Sequence, residues 1–137
     1  MTIKELDGTH LDDYLTALCS LYTIDIRGDK AADVFRKRLK YSRTFVAIID
    51  NKVAGAISIL LEHKYGHDAK LVAHIEDVVV NDNCRSKGIG LALVRYAIET
   101  ARMCNCYKVV LNCKESLVPF YEKAGLYNST VGMRIDL

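Results

Sequence analysis

The chain has 137 residues, half of them apolar, with one proline, eight glycines and a formal net charge of +2. That length and composition suit a single domain over 1–137 with a real core, and they exclude a disordered or linker-rich chain. The charge balance is too small for a nucleic-acid coat or a membrane-surface protein, so neither partner is expected.

The longest apolar stretches fall well short of the roughly 20 residues a bilayer requires. The first residues, MTIKELDGTHLDD, hold no apolar leader core. The cysteines, Cys19, Cys84, Cys104, Cys106 and Cys113, are odd in number and irregularly spaced. They read as free thiols in a reducing interior, the cytoplasm, rather than as disulfides or a zinc site. His63 and His67 stand at helical spacing, but Gly66 and a polar surround mark a loop, so no metal is expected there.

In chain order, TIKEL reads as a first strand. HLDDYLTALCSLYT has Leu11, Leu15, Leu18, Leu21 and Tyr22 at helical spacing. DKAADVFRKRLKYS reads as a second helix with Val34, Phe35 and Leu39 inward. TFVAIID and KVAGAISILLE are strands joined by a tight hairpin at Asp50–Asn51–Lys52. A loop from Glu62 to Ala69 leads into KLVAHIEDVVV, rich in β-branched residues. A helix follows from about Gly88 to Met103, with Ile89, Ala92, Leu93, Tyr96, Ala97 and Thr100 as its inner stripe. KVVLNC is the next strand. ESLVPFYEKAG is a short helix that Ser116 can cap, with Pro119 in its first turn and Gly125 ending it. STVGMRIDL reads as a terminal strand. The order β-α-α-β-β-β-α-β-α-β predicts an α/β fold, a mixed sheet covered by about four helices, with one βαβ-like unit over 71–113.

The stretch CRSKGIG, residues 84–90, separates the strongest strand signal from an amphipathic helix. A helix starting near Gly88 leaves its first N–H groups free at the positive end of its dipole. Gly88 and Gly90 admit unusual backbone angles and close approach, and Arg85 and Lys87 add charge at the rim. The stretch is neither a Walker loop nor a dinucleotide fingerprint. On these residues alone, an anion site and a plain strand-to-helix turn both stay open.

R-x-x-G-x-G at Arg85–Gly90, after EDVVV, resembles the acetyl-CoA pyrophosphate loop of the GNAT acetyltransferase superfamily. With CYKVVLNC and FYEKAG downstream, residues 74–126 resemble the glucosamine 6-phosphate N-acetyltransferases in particular. The resemblance implies a GNAT fold with a mostly antiparallel, twisted sheet, and acetyl-CoA as co-substrate without a metal. It also implies a homodimer that acetylates the 2-amino group of D-glucosamine 6-phosphate on the way to UDP-N-acetylglucosamine.

Residue by residue, it places acetyl-CoA along Val78, Val79 and Val80 and over Arg85, Ser86, Lys87, Gly88, Ile89, Gly90 and Leu91, with Tyr121 and Lys123 nearby. It makes Glu76 or Asp77 the acceptor of the amine's proton, directly or through water. Tyr121 becomes the phenol that stabilises or protonates the departing thiolate. It assigns the sugar phosphate to Lys64, His67, Tyr107 and Lys108, with Lys64 and His67 serving the neighbouring subunit. Adjacent on a strand, Glu76 and Asp77 are expected to face opposite sides.

Three positions depart from the family's pattern: Asn112 stands where an acid is usual, Leu117 where an Asn is usual, and Arg134 is displaced from the expected Arg near the chain end. Two other readings follow: a GNAT enzyme for another small amine or a peptide, and a catalytically silent CoA-binding module. Intact Glu76, Asp77 and Tyr121 argue against the silent module; Asn112 and Leu117 argue for it.

Overall fold

The computed structural model describes all residues, 1–137. Five strands form one sheet in the order β1-β2-β3-β4-β5. They are β1 (Thr2–Glu5), β2 (Ser42–Ile49), β3 (Lys52–His63), β4 (Leu71–Val80) and β5 (Cys106–Val110). Neighbours from β1 to β4 run antiparallel, and β5 joins β4 in parallel. The helices are α1 (Leu11–Leu18), α2 (Gly28–Arg38), a single turn α3 (Gly66–Ala69), α4 (Ile89–Met103) and α5 (Val118–Glu122). No helix is long and apolar enough to cross a membrane.

The sheet is buried on both faces because its side chains alternate. On β2, Phe45 and Ala47 pack with Ile57, Ile59, Leu93 and Ala97 under α4, while Val46 packs with Leu15, Leu18 and Val53 under α1. Phe45 is 1% exposed, and its burial contributes roughly 1.5–3 kcal/mol. The β2–β3 hairpin closes through Asp50 and Asn51, both at positive φ (50° and 61°), the mirror-image turn whose twist matches the strands.

Several expectations need correction. Helix α1 stops at Leu18, and Leu21 and Tyr22 are exposed beyond it rather than part of its core stripe. On α2, Ala31 is the buried residue, and Val34 and Leu39 face water. On α4 the buried face includes Val94 and Ala101 in place of Ala92 and Tyr96. Tyr96 sits at the rim, 40% exposed, with the two rings of Tyr96 and Phe45 edge-to-face at 5.1 Å. Ser116 makes no cap bond; a short 3-10 turn over Glu115–Leu117 enters α5 instead.

The terminal strand is absent. No backbone hydrogen bond outside the regular elements involves residues 127–137, and Val131, Met133 and Ile135 are 89%, 95% and 83% exposed. An extended segment draws every hydrogen bond from a neighbour, and this chain pairs none with it.

Candidate active site

The pairing of β4 creates the site. Its register with β3 continues to Val80, but its register with β5 ends at His74↔Val110. From Ile75 onward the β5-facing edge of β4 has no strand partner. A cleft of about 280 Å³ opens there, with Ile75–Val78 on one wall and Leu111, Asn112 and Cys113 on the other; Leu21, Tyr22, Leu117 and Tyr121 close it.

The β3–β4 register shifts between Ala56 and Ser58, so Ile57 faces two residues of β4. Asp77 takes the extra place with φ 53°. This bulge re-aims the side chain. Glu76 and Asp77 therefore line the same cleft, where simple alternation had put them on opposite faces.

The two carboxylates differ in their surroundings. Tyr22 Oη donates to Asp77 Oδ1 at 2.6 Å, and no ion pair or hydrogen bond engages Glu76. That bond to Asp77, with burial and the nearby negative charge behind it, pushes the Tyr22 phenol up to about 12. Behind Glu76, its register partner Ser58 is fully buried and shares a 2.7 Å hydrogen bond with Thr44 Oγ1, while Arg38 Nη2 donates to Ser58 at 3.2 Å.

Tyr121 is 9% exposed, and its ring meets Phe120 edge-on at 4.9 Å. Burial, with the Cys113 thiol as a lesser cause, pushes its pKa up, so it holds its proton at neutral pH. Its hydroxyl has no hydrogen-bond partner within the chain.

At the open end of β4 the chain turns into α4. Ser86 and Gly88 both adopt left-handed φ (63° and 77°). No backbone carbonyl accepts from the N–H groups of Ser86, Lys87, Gly88, Ile89, Gly90 or Leu91; the first α4 bond is from Ala92 to Gly88. Consecutive free N–H groups of this kind form a concave anion cradle at a helix start. A Cβ on Gly88 would meet nothing within 4 Å, so the cradle stands open, whereas one on Gly90 would lie 3.2 Å from Phe120 Cζ. The donor set fits a pyrophosphate. Arg85 turns away from the cradle, bonded to Asp82 at 3.0 Å and to the Val80 carbonyl at 3.3 Å, which braces the turn. Lys87 is unpaired, and Lys123 is exposed and lines neither cavity.

The remaining predicted residues lie elsewhere. Lys64 pairs with Glu62, which also binds His74. His67, at φ 52°, stacks on Tyr107 at 3.8 Å, and Lys108 Nζ sits 5.5 Å over that ring. This group is at the Leu71 end of β4, about 20 Å along the strand from Asp77. Tyr107 and Lys108 line a larger groove of about 620 Å³ on the free side of β5, which also reaches Asn112 and Tyr121. The groove has the volume; the smaller cleft has the paired carboxylates. Arg134 pairs with Asp136 at 2.6 Å, outside both cavities. Sequence reasoning missed Leu21 and Tyr22, whose apolar spacing disguised them as helix core. No three His, Cys, Asp or Glu side chains gather to hold a metal.

A sheet splayed between β4 and β5, an N–H cradle at the start of α4, and an acid–phenol cleft between them define an acyl-CoA-dependent N-acyltransferase. The Acetyltransferase (GNAT) family profile matches residues 11–126, and the chain belongs to that family. Among relatives, the glucosamine 6-phosphate N-acetyltransferase of Trypanosoma brucei brucei is 36% identical over 77% of this chain and 72% of its own length. Glucosamine 6-phosphate N-acetyltransferase 1 of Dictyostelium discoideum is 34% identical over 100% of this chain and 91% of its own. The crystal structure of the Arabidopsis thaliana glucosamine-6-phosphate N-acetyltransferase superposes with a TM-score of 0.91 at 25% identity, covering 98% of this chain and 97% of that one.

Proposed function

We propose that the protein transfers the acetyl group of acetyl-CoA to the 2-amino group of D-glucosamine 6-phosphate, giving N-acetyl-D-glucosamine 6-phosphate for UDP-N-acetylglucosamine synthesis. The observation that carries this reading is the cleft where β4 leaves β5, with Glu76, Asp77 and Tyr121 around it and the N–H cradle at its end. The names of the relatives supply the substrate.

In this reading acetyl-CoA puts its pyrophosphate on the N–H groups of 86–91 and its pantetheine along the unpaired edge of Val78–Val80. The thioester carbonyl then accepts from a backbone N–H near Val78. The substrate ammonium passes a proton to a cleft carboxylate, directly or through water. The amine nitrogen attacks the carbonyl carbon, the C–N bond forms and the C–S bond breaks. Tyr121 donates its proton to the leaving thiolate, and its phenolate regains one from the nitrogen, which sheds its second proton as the amide forms. Glu76, free of any partner, is the proton acceptor; Asp77, already holding the Tyr22 phenol, orients the amine. Cys113 lines the cleft, but nothing in the chain hydrogen-bonds it as an activating base would, which favours direct attack over an acyl-enzyme.

The protein works as a homodimer in this reading. Support comes from the alternation after Ser129: Val131, Met133, Ile135 and Leu137 are exposed, with polar residues or glycine between them, beside an unpaired β5 edge. A second copy that covers this edge satisfies both. Lys64, His67, Tyr107 and Lys108, remote from Asp77 in one chain, then bind the sugar phosphate of the partner's site. Five free thiols fit a reducing compartment, and the cytoplasm is the proposed one.

The test is product identity. Incubation with acetyl-CoA and glucosamine 6-phosphate should yield one acetylated sugar, with the acetyl group on the C2 nitrogen by NMR. An O-acetyl product, or none, overturns the assignment.

A further inference from the structure

Tyr22 belongs to no motif, yet it bridges distant parts of the fold. Its phenol reaches from the segment after α1 to Asp77, 55 residues away, at 2.6 Å. It is the sole protein partner of that carboxylate. Asp77 stands on a bulge at φ 53°, a left-handed conformation that among residues with a side chain Asp and Asn accept most readily. The bulge turns the side chain toward the cleft, and the Tyr22 phenol is the one group of the chain that holds its carboxylate there. The phenol can only donate while protonated, and it is held protonated up to about 12. Its half-exposed ring, with Leu21, forms the cleft wall beside both carboxylates.

We propose that Tyr22 is a positioning residue that fixes the Asp77 carboxylate toward the amino group of the acceptor and so sets how tightly the acceptor binds. The proposal rests on the acetyltransferase reading of the same cleft. It divides the labour of the two acids: Tyr22 occupies one oxygen of Asp77, the other receives the amine, and Glu76 stays free for the proton.

The experiment compares wild type with Tyr22→Phe, Asp77→Asn and the double variant. Tyr22→Phe keeps the ring and loses only the donor, which serves a charged acceptor. The KM for the amine should rise about tenfold, while the KM for acetyl-CoA and the melting temperature stay put. The double variant should match Asp77→Asn alone, because both changes break one interaction. An unchanged amine KM, or effects that multiply in the double variant, overturns the proposal.

A second readout needs no turnover. In protein carrying 13Cζ-tyrosine, the signal missing from Tyr22→Phe identifies Tyr22. It should remain un-ionised past about pH 11 in wild type and titrate at clearly lower pH in Asp77→Asn, where burial, with Glu76 and Tyr14, still holds it above the ordinary phenol value of about 10. The other titratable groups facing the phenol, Glu76 and Tyr14, are unaltered in that variant. Identical titration in both proteins overturns the pairing whatever the substrate. The predicted difference in a protein that acetylates no amine supports the pairing and defeats the substrate reading alone.

Discussion

The carbonyl oxygen of Val79 fills the space that a side chain on Gly55 would need. A Cβ there would stand 2.8 Å from that oxygen and 3.2 Å from both Ile89 Cγ2 and Leu93 Cδ1. The nearest atom is backbone and cannot rotate away. Gly55 therefore lets β3 lie close to the strand that carries the cleft and to the first turn of α4. Gly55→Ala should cost about 1–3 kcal/mol of stability, read by denaturant melts, and should raise the KM for acetyl-CoA as the turn at 86–91 shifts. Unaltered stability would mean that β3 and β4 can separate freely.

Tyr121→Phe removes a proton donor and keeps the ring against Phe120. Turnover should fall roughly 100-fold, at the low end for general acid catalysis, with the KM for acetyl-CoA unchanged. The pH dependence follows from the direction of the shift. Burial raises the phenol's pKa above its ordinary value of about 10. The acid form, which is the donor, is then fully present through pH 9, and Tyr121 contributes no alkaline limb to kcat below that. A limb that falls between pH 7 and 9 and vanishes in Tyr121→Phe would contradict this.

Glu76→Gln removes the free carboxylate without changing its size. At pH 7 kcat/KM should drop about 100-fold. The deficit should narrow as pH rises, because solvent then deprotonates the amine that Glu76 otherwise serves. A deficit constant with pH would move the acceptor role to Asp77 or to water alone.

The five strands, the order of elements as far as α5 and the hairpin at Asp50–Asn51 were legible in the sequence, because each rests on local periodicity or turn residues. The glycines at the strand-to-helix junction marked 86–91 without deciding between an anion site and a plain turn. The arrangement of the cleft was not legible. The bulge at Asp77 depends on the register with β3, set by residues twenty positions away, so the shared orientation of Glu76 and Asp77 left no local trace. Tyr22 continued the helical spacing of α1 past the point where the helix ends. The terminal segment carries the alternation of a strand, yet no strand forms there, because nothing in the chain pairs with its backbone. Arg85 looked like a phosphate ligand by charge, and only the geometry shows it bonded to Asp82 and Val80.

That alternation gives a test of assembly. Val131→Glu with Ile135→Glu places two charges on a face that the homodimer reading buries. The double variant should elute as a monomer in light-scattering chromatography where the wild type runs as a dimer. It should also lose affinity for the phosphosugar, since Lys64 and His67 of the partner no longer reach the site. A monomeric wild type, or a dimer indifferent to the two charges, would contradict the arrangement.

The most direct measurement follows the thiol released from acetyl-CoA by the purified protein, with glucosamine 6-phosphate, glucosamine and a lysine-containing peptide offered in parallel. Rapid release with the phosphosugar, and little with the other two, is the predicted result. Release with the peptide alone would contradict the substrate assignment, and no release with any amine would make the chain a silent CoA-binding domain.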